Sequence, residues 1–259
     1  MIKTWMTPWL LMAVPFLGAT LSLLLRTSLQ RMKTSALLTT VASMLVVIGT
    51  PWALGDTLAG VPFLCLLPLT AFLSLLGQPL HRDNTSAWTT TLVLLGLGLG
   101  ILTAQAPAHD VMLLILPGLL CILLYRYQSG ATPETWRGLS AYGLSMVSAA
   151  LALVLPTPAS TVALLVTCAT LLPLLPVHSG FIATLTGLPG NLPAFLVFLL
   201  PTVGFHTLLT LLPNLTVTTL HTVAILALAG AVYGSLRALI QARPLPRLPT
   251  VLRGQKEWH

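Results

Sequence analysis

Residues Leu171 to Leu209 read L-L-P-L-L-P-V-H-S-G-F-I-A-T-L-T-G-L-P-G-N-L-P-A-F-L-V-F-L-L-P-T-V-G-F-H-T-L-L. The run opens as the end of an apolar helix and meets Pro173 and Pro176 three residues apart. Proline removes a backbone hydrogen bond and clashes with the preceding turn, so the helix breaks there. A short loop carrying His178 follows, and a second apolar helix starts near residue 192. A span interrupted inside hydrocarbon leaves carbonyl and amide ends that face ions or water. A broken span followed by a whole one is the pattern around which the rest of the chain is read.

The 259 residues are 56% hydrophobic and 7% charged, against roughly 25% charge in soluble domains. Mean hydropathy is +0.93. Leu, Ala, Thr and Gly dominate without period-2 alternation, which favours helices over a transmembrane barrel and points to an all-α polytopic membrane protein. The formal charge of +7 does not indicate nucleic acid, because the basic residues are scattered through loops beside membrane spans. Cys65, Cys121 and Cys168 lie singly in apolar segments, with no metal-ligand or disulfide spacing. Lys3 precedes an apolar run without a small-residue cleavage site, which reads as a retained first span.

Nine apolar segments follow one another, at about 5–25, 34–54, 60–78, 86–104, 110–127, 137–155, 158–175, 192–212 and 217–241. Most approach the roughly 20 residues that a helix needs to cross a bilayer. With the N-terminus outside and the C-terminus inside, Arg26, Arg31, Lys33, Arg82, Arg126, Arg137, Arg237, Arg243, Arg247, Arg253 and Lys256 fall on the inner side, and only Lys3 on the outer. Trp5, Trp9 and Trp52 then lie near the outer interface, and Trp88 and Trp136 near the inner one. Residues 1–242 form the helical domain and 243–259 a basic, proline-rich inner tail, extended along the membrane or pinned to a partner. Pro8, Pro15, Pro62, Pro68, Pro193 and Pro201 are expected to kink their helices. Gly96-x-x-x-Gly100 and Gly230-x-x-x-Gly234 allow close helix packing within the protein or, less commonly, between copies.

Pro173, Pro176 and His178 at P-x-x-P-x-H spacing, with Pro189, Gly204, Leu208 and Leu209 downstream, resemble the antiporter-like membrane subunits of respiratory complex I, Mrp-type cation/proton antiporters and membrane-bound hydrogenases. The family pattern runs K-x-P-x-x-P-x-H-x-W-L-P-D-A-x-x-x-A-P, then L-L-K-x-G-x-Y-x-L-L. The lysine before the P-x-x-P is Leu171 here, the lysine of the following helix is Thr202, and Gly180, Ile182 and Ala183 replace tryptophan, proline and aspartate. Thr103 to Leu114 resembles the entry to the family's fifth helix; Asp110 remains, but no acidic residue occurs between Val111 and Pro133. Tyr233-Gly234, Ala238 and Gln241 resemble the family's Y-G-x-x-x-A-x-x-Q. The resemblance implies three leading helices (5–80), one five-helix repeat (86–212) with its broken helix near Pro173, and a last helix (217–241) that begins a second repeat.

In such subunits protons pass along a glutamate in helix five and lysines in helices seven and eight, and all three are replaced here. Thr202 passes a hydrogen bond without charge, and Leu171 does neither. The resemblance therefore implies a degenerate subunit of a larger ion-translocating or redox-coupled complex in a bacterial inner membrane, with a full-length antiporter-like subunit as partner and no proton path of its own. His178, His206 and His221 are the histidines singled out as titrating near neutral pH. The alternative is a reduced proton or cation transporter using His178, Thr202 and His206; there His206 competes with a lone imidazole bonded to a carbonyl or threonine. A third option is an anchor that recruits a soluble partner through the tail. No cofactor, metal site or catalytic constellation is expected, and a stand-alone enzyme is not indicated.

Overall fold

The computed structural model describes residues 2–54, 61–127, 133–172 and 179–241, and every regular element among them is helical. In chain order these are α1 (Ile2–Leu24), α2 (Leu29–Leu54), α3 (Val61–Leu76), α4 (Thr85–Thr103), α5 (Ala108–Tyr127), α6 (Pro133–Val154), α7 (Ala159–Leu171), α8 (Ser179–Gly187), α9 (Leu192–Leu211) and α10 (Val217–Gln241). Five stretches are long and apolar enough to cross a membrane: Leu29–Thr50, Thr85–Thr103, Ala108–Tyr127, Trp136–Val154 and Leu192–Leu211. Shorter apolar runs occupy α1, α3, α7 and α10. The chain divides into two units, Met1–Leu215 with α1 to α9 and Thr216–His259 with α10.

The core of the first unit forms around α4. Its sequence TSAWTTTLVLLGLGLGILT is apolar on every face, and a helix apolar all round is stable only when surrounded. Leu92, Leu94, Leu95, Leu99 and Ile101 are fully buried, with α1, α2, α3, α5 and α9 packed about them. Gly96 and Gly100 let α1 approach, because a methyl on Gly96 would meet Phe16 and one on Gly100 would sit 2.5 Å from Met12 Sδ. Of the two packing options for this G-x-x-x-G, the structure takes the intramolecular one. Outward-facing side chains such as Leu17, Leu45, Ile122, Val147 and Val197 are exposed apolar groups, the surface expected of a protein solvated by lipid.

Inside, the polar groups are almost all hydroxyls, and the helices hide them. Thr91, Thr167, Thr184 and Thr207 each donate to the carbonyl four residues back, which removes the need for water. Others tie helices together: Thr167 lies 3.0 Å from Ser148 across α6 and α7, and Asn191 donates to Thr91 at 2.7 Å across α9 and α4. Lys33 at the start of α2 donates to the carbonyls of Leu76 and Gln78 at the end of α3, where the helix dipole favours a cation. Lys33→Met is expected to fray that end at a cost of about 1 kcal/mol, visible as faster amide exchange at 77–78.

Two expectations are corrected. The segment after the proline break was read as a loop up to residue 192, but Ser179–Gly187 is a helix, α8. At nine residues it falls far below the roughly 20-residue window that reveals spans. Pro189 and left-handed Gly190, at φ +65°, turn the chain into α9. Pro193 and Pro62 do not kink their helices, since both lie in a first turn, where an amide has no intrahelical acceptor. Pro8, Pro15, Pro68 and Pro201 are inside helices, as expected, and so is Pro117.

Candidate functional site

Of the positions singled out by sequence, Pro173, Pro176 and His178 lie outside the described residues. On either side of them α7 and α8 pack on successive turns of one helix, α6. Toward the C-terminal end of α6, Ser148 meets Thr167 of α7. Nearer its start, Tyr142 bonds Thr184 of α8 at 2.7 Å, and a methyl on Gly138 would fall 2.6 Å from the Ala183 side chain. At about 1.5 Å per residue, the 13 residues of α7 reach about 20 Å, short of the roughly 30 Å of bilayer hydrocarbon. The two short helices therefore lie one after the other along the length of a whole one. Tyr142→Phe leaves the Thr184 hydroxyl its carbonyl at Gly180 and is expected to cost only about 1 kcal/mol, read as a small drop in thermal midpoint with the fold retained.

The end of α7 meets the middle of α9. Leu171 is fully buried, and a methyl on Gly204 would sit 3.3 Å from its Cβ and 2.9 Å from Leu172 Cγ. Gly204 thus gives Leu171 its place. Half a turn earlier on α9, Thr202 donates at 2.7 Å to the carbonyl of Phe198. Thr202 and His206, one helical turn apart, face a pocket of about 500 Å³ whose other walls are apolar: Leu64 and Leu66 of α3, Leu102 of α4, and Val197, Phe198, Pro201, Phe205 and Leu209 of α9. A larger groove of about 740 Å³, bordered by Trp9, Met112 and Ile115 among others, presents no polar side chain.

His206 is not a lone imidazole. Its ring centroid lies 6.1 Å from that of His109, tilted by 55°. His109 is buried in the first turn of α5, with Nδ1 3.0 Å from Asp110 Oδ1 and Nε2 3.4 Å from Thr207 Oγ1. The threonine beside His206 therefore bonds the other histidine. In the sequence, the His109-Asp110 pair at the mouth of a span is the signal for this half of the site. His221 lies exposed on α10, in the other unit.

No family model, curated protein or solved structure matches the chain. The site must be judged by its chemistry. Among the described residues no Lys, Arg, Asp or Glu lies in the middle of any helix, and no group of three metal-ligating side chains forms. Asp110 is at the start of α5 and Arg126 in its last turn. Hydrogen bonding and local proton exchange are within reach of these groups.

Proposed function

We propose that the chain is a degenerate antiporter-like membrane subunit: an accessory, structural component of a larger ion-translocating or redox-coupled complex in a bacterial inner membrane. It spans the membrane nine times with its N-terminus outside, α7 and α8 together forming one broken span. The supporting observation is the junction of α7 with α9. The two positions where the resemblance implies lysines are Leu171 and Thr202, and here the first is packed against Gly204 and the second is closed on its own helix. An ammonium buried there would cost at least about 2.5–3.5 kcal/mol on insertion scales, a cost sustained where the charge moves protons. Leucine removes both the cost and the relay.

The contacts agree with this up-and-down arrangement. Lys33 at the start of α2 meets the end of α3, and Asn191 before α9 reaches Ser74 in α3 and Thr91 in α4, all near the inner side in the proposed orientation. His109 at the start of α5 meets Thr207 late in α9, both toward the outer side. The chain's proposed partner in that complex is a full-length antiporter-like subunit.

The second reading is a reduced transporter, favoured by one observation: Thr202 and His206 line a single pocket. Reconstitution separates the two. Purified chain in proteoliposomes is expected to leave an imposed pH gradient as stable as in empty vesicles; a dissipation lost in His206→Leu would establish the transporter instead.

A further inference from the structure

We propose that His109, Asp110, Thr207 and His206 form a proton-binding site in which the two imidazoles share one exchangeable proton. The argument rests on the hydrogens available to His109. Its Nδ1 faces a carboxylate oxygen at 3.0 Å, which accepts only, so a hydrogen belongs on Nδ1. Its Nε2 faces the Thr207 hydroxyl at 3.4 Å, and that hydroxyl donates to the Val203 carbonyl at 3.0 Å. A hydroxyl has one hydrogen. With a proton on Nε2 as well, the chain is complete: Nδ1–H donates to Asp110, Nε2–H to Thr207, and Thr207 O–H to Val203. Without that proton, Nε2 and Thr207 Oγ1 face each other with no hydrogen between them, unless Thr207 abandons Val203. A proton on Nε2 is thus the one the arrangement accepts without the loss of any hydrogen bond.

His206 makes the site exchangeable. At 6.1 Å between centroids two imidazolium charges repel, so a single proton is taken up before a second. The Asp110 side chain is 19% exposed against 8% for His109, and His206 opens on the pocket with Thr202. The proton thus reaches His109 and leaves it at the Asp110 end. The other walls contribute no titratable group: α3 and α4 present Leu64, Leu66 and Leu102. Among the described residues no lysine, arginine or carboxylate lines the pocket with His206, and the site holds a proton near one end of the bundle. It stands whether or not the chain serves an antiporter-like complex.

The test is ¹⁵N spectroscopy of the imidazoles in histidine-labelled protein in lipid nanodiscs, from about pH 5 to about pH 9, assigned with H109Q and H206Q. Expected in the wild-type protein is uptake of one proton by the pair, with the His109 and His206 signals changing over the same pH interval. H206Q is expected to displace the His109 transition, and Asp110→Asn to abolish the charged-ring signal of His109. Signals that do not change over this range, or that titrate independently of each other, would overturn the proposal. H109N and H206N supply the same assignments if either glutamine variant fails to fold.

Discussion

Gly18→Val is expected to cost at least about 3 kcal/mol, enough to prevent recovery of a monodisperse folded protein. Even the first added carbon falls onto the side chain of Thr39, where α1 crosses α2. Thr39 has no easy retreat, being buried with its hydroxyl held to the Ser35 carbonyl at 2.8 Å. Overpacking a well-filled contact costs about 1–3 kcal/mol, and more where neither side yields. Small residues at such crossings give membrane helices their close approach, in place of a hydrophobic driving force that lipid cannot supply. Gly49→Ala is the control: nothing lies within 4 Å of the added methyl, and replacing a helical glycine is expected to stabilise by about 0.5–1 kcal/mol. Thermal unfolding monitored by circular dichroism in detergent separates the two. If both variants melt like the parent, the α1–α2 crossing is not as described.

Leu171→Lys carries the second large effect. This is one of the two positions where the resemblance implies a lysine. Here Leu171 is fully buried, with Leu172 and Gly204 against it and no carboxylate in the middle of any described helix. Burying an unpaired ammonium is therefore expected to destabilise by about 3 kcal/mol or more. Leu171→Met conserves volume and is expected to cost less than about 1.5 kcal/mol. The readout is the loss of folded protein on mild heating in detergent. Equal stability of the lysine and methionine variants would mean that water or a counter-charge already lies at the end of α7.

These two positions show what the sequence discloses and what it withholds. The all-helical architecture was legible because an apolar run of about 20 residues with its charges at the ends has one stable form in lipid. Eight of the nine apolar segments coincide with helices α1 to α6, α9 and α10 to within a few residues, and α7 accounts for most of the ninth. α8 was not legible. It is short, and the prolines at 176 and 189 that delimit it read equally well as loop residues. Pro193 looked like a kink because periodicity alone does not say which proline falls in a first turn.

The candidate site was half legible. Thr202 and His206 stand one turn apart in the sequence and share a pocket in the fold. The partner of His206 lies across 97 residues of chain (206 minus 109) and is brought there only by the packing of the bundle. A histidine beside an acid reads as a polar helix start until tertiary structure sets a second imidazole opposite. The hydroxyls of Thr167, Thr184 and Asn191's partner Thr91 were equally silent, because Ser and Thr in apolar segments satisfy themselves on their own helix before they meet a neighbour.

The most direct test of the accessory-subunit account is the mass of the particle that a tagged chain brings out of its own membrane in mild detergent. The account predicts a complex far heavier than the 27.5 kDa chain, containing a full-length antiporter-like subunit in stoichiometric amount. A stable, solitary 27.5 kDa monomer that dissipates a pH gradient once reconstituted would contradict it.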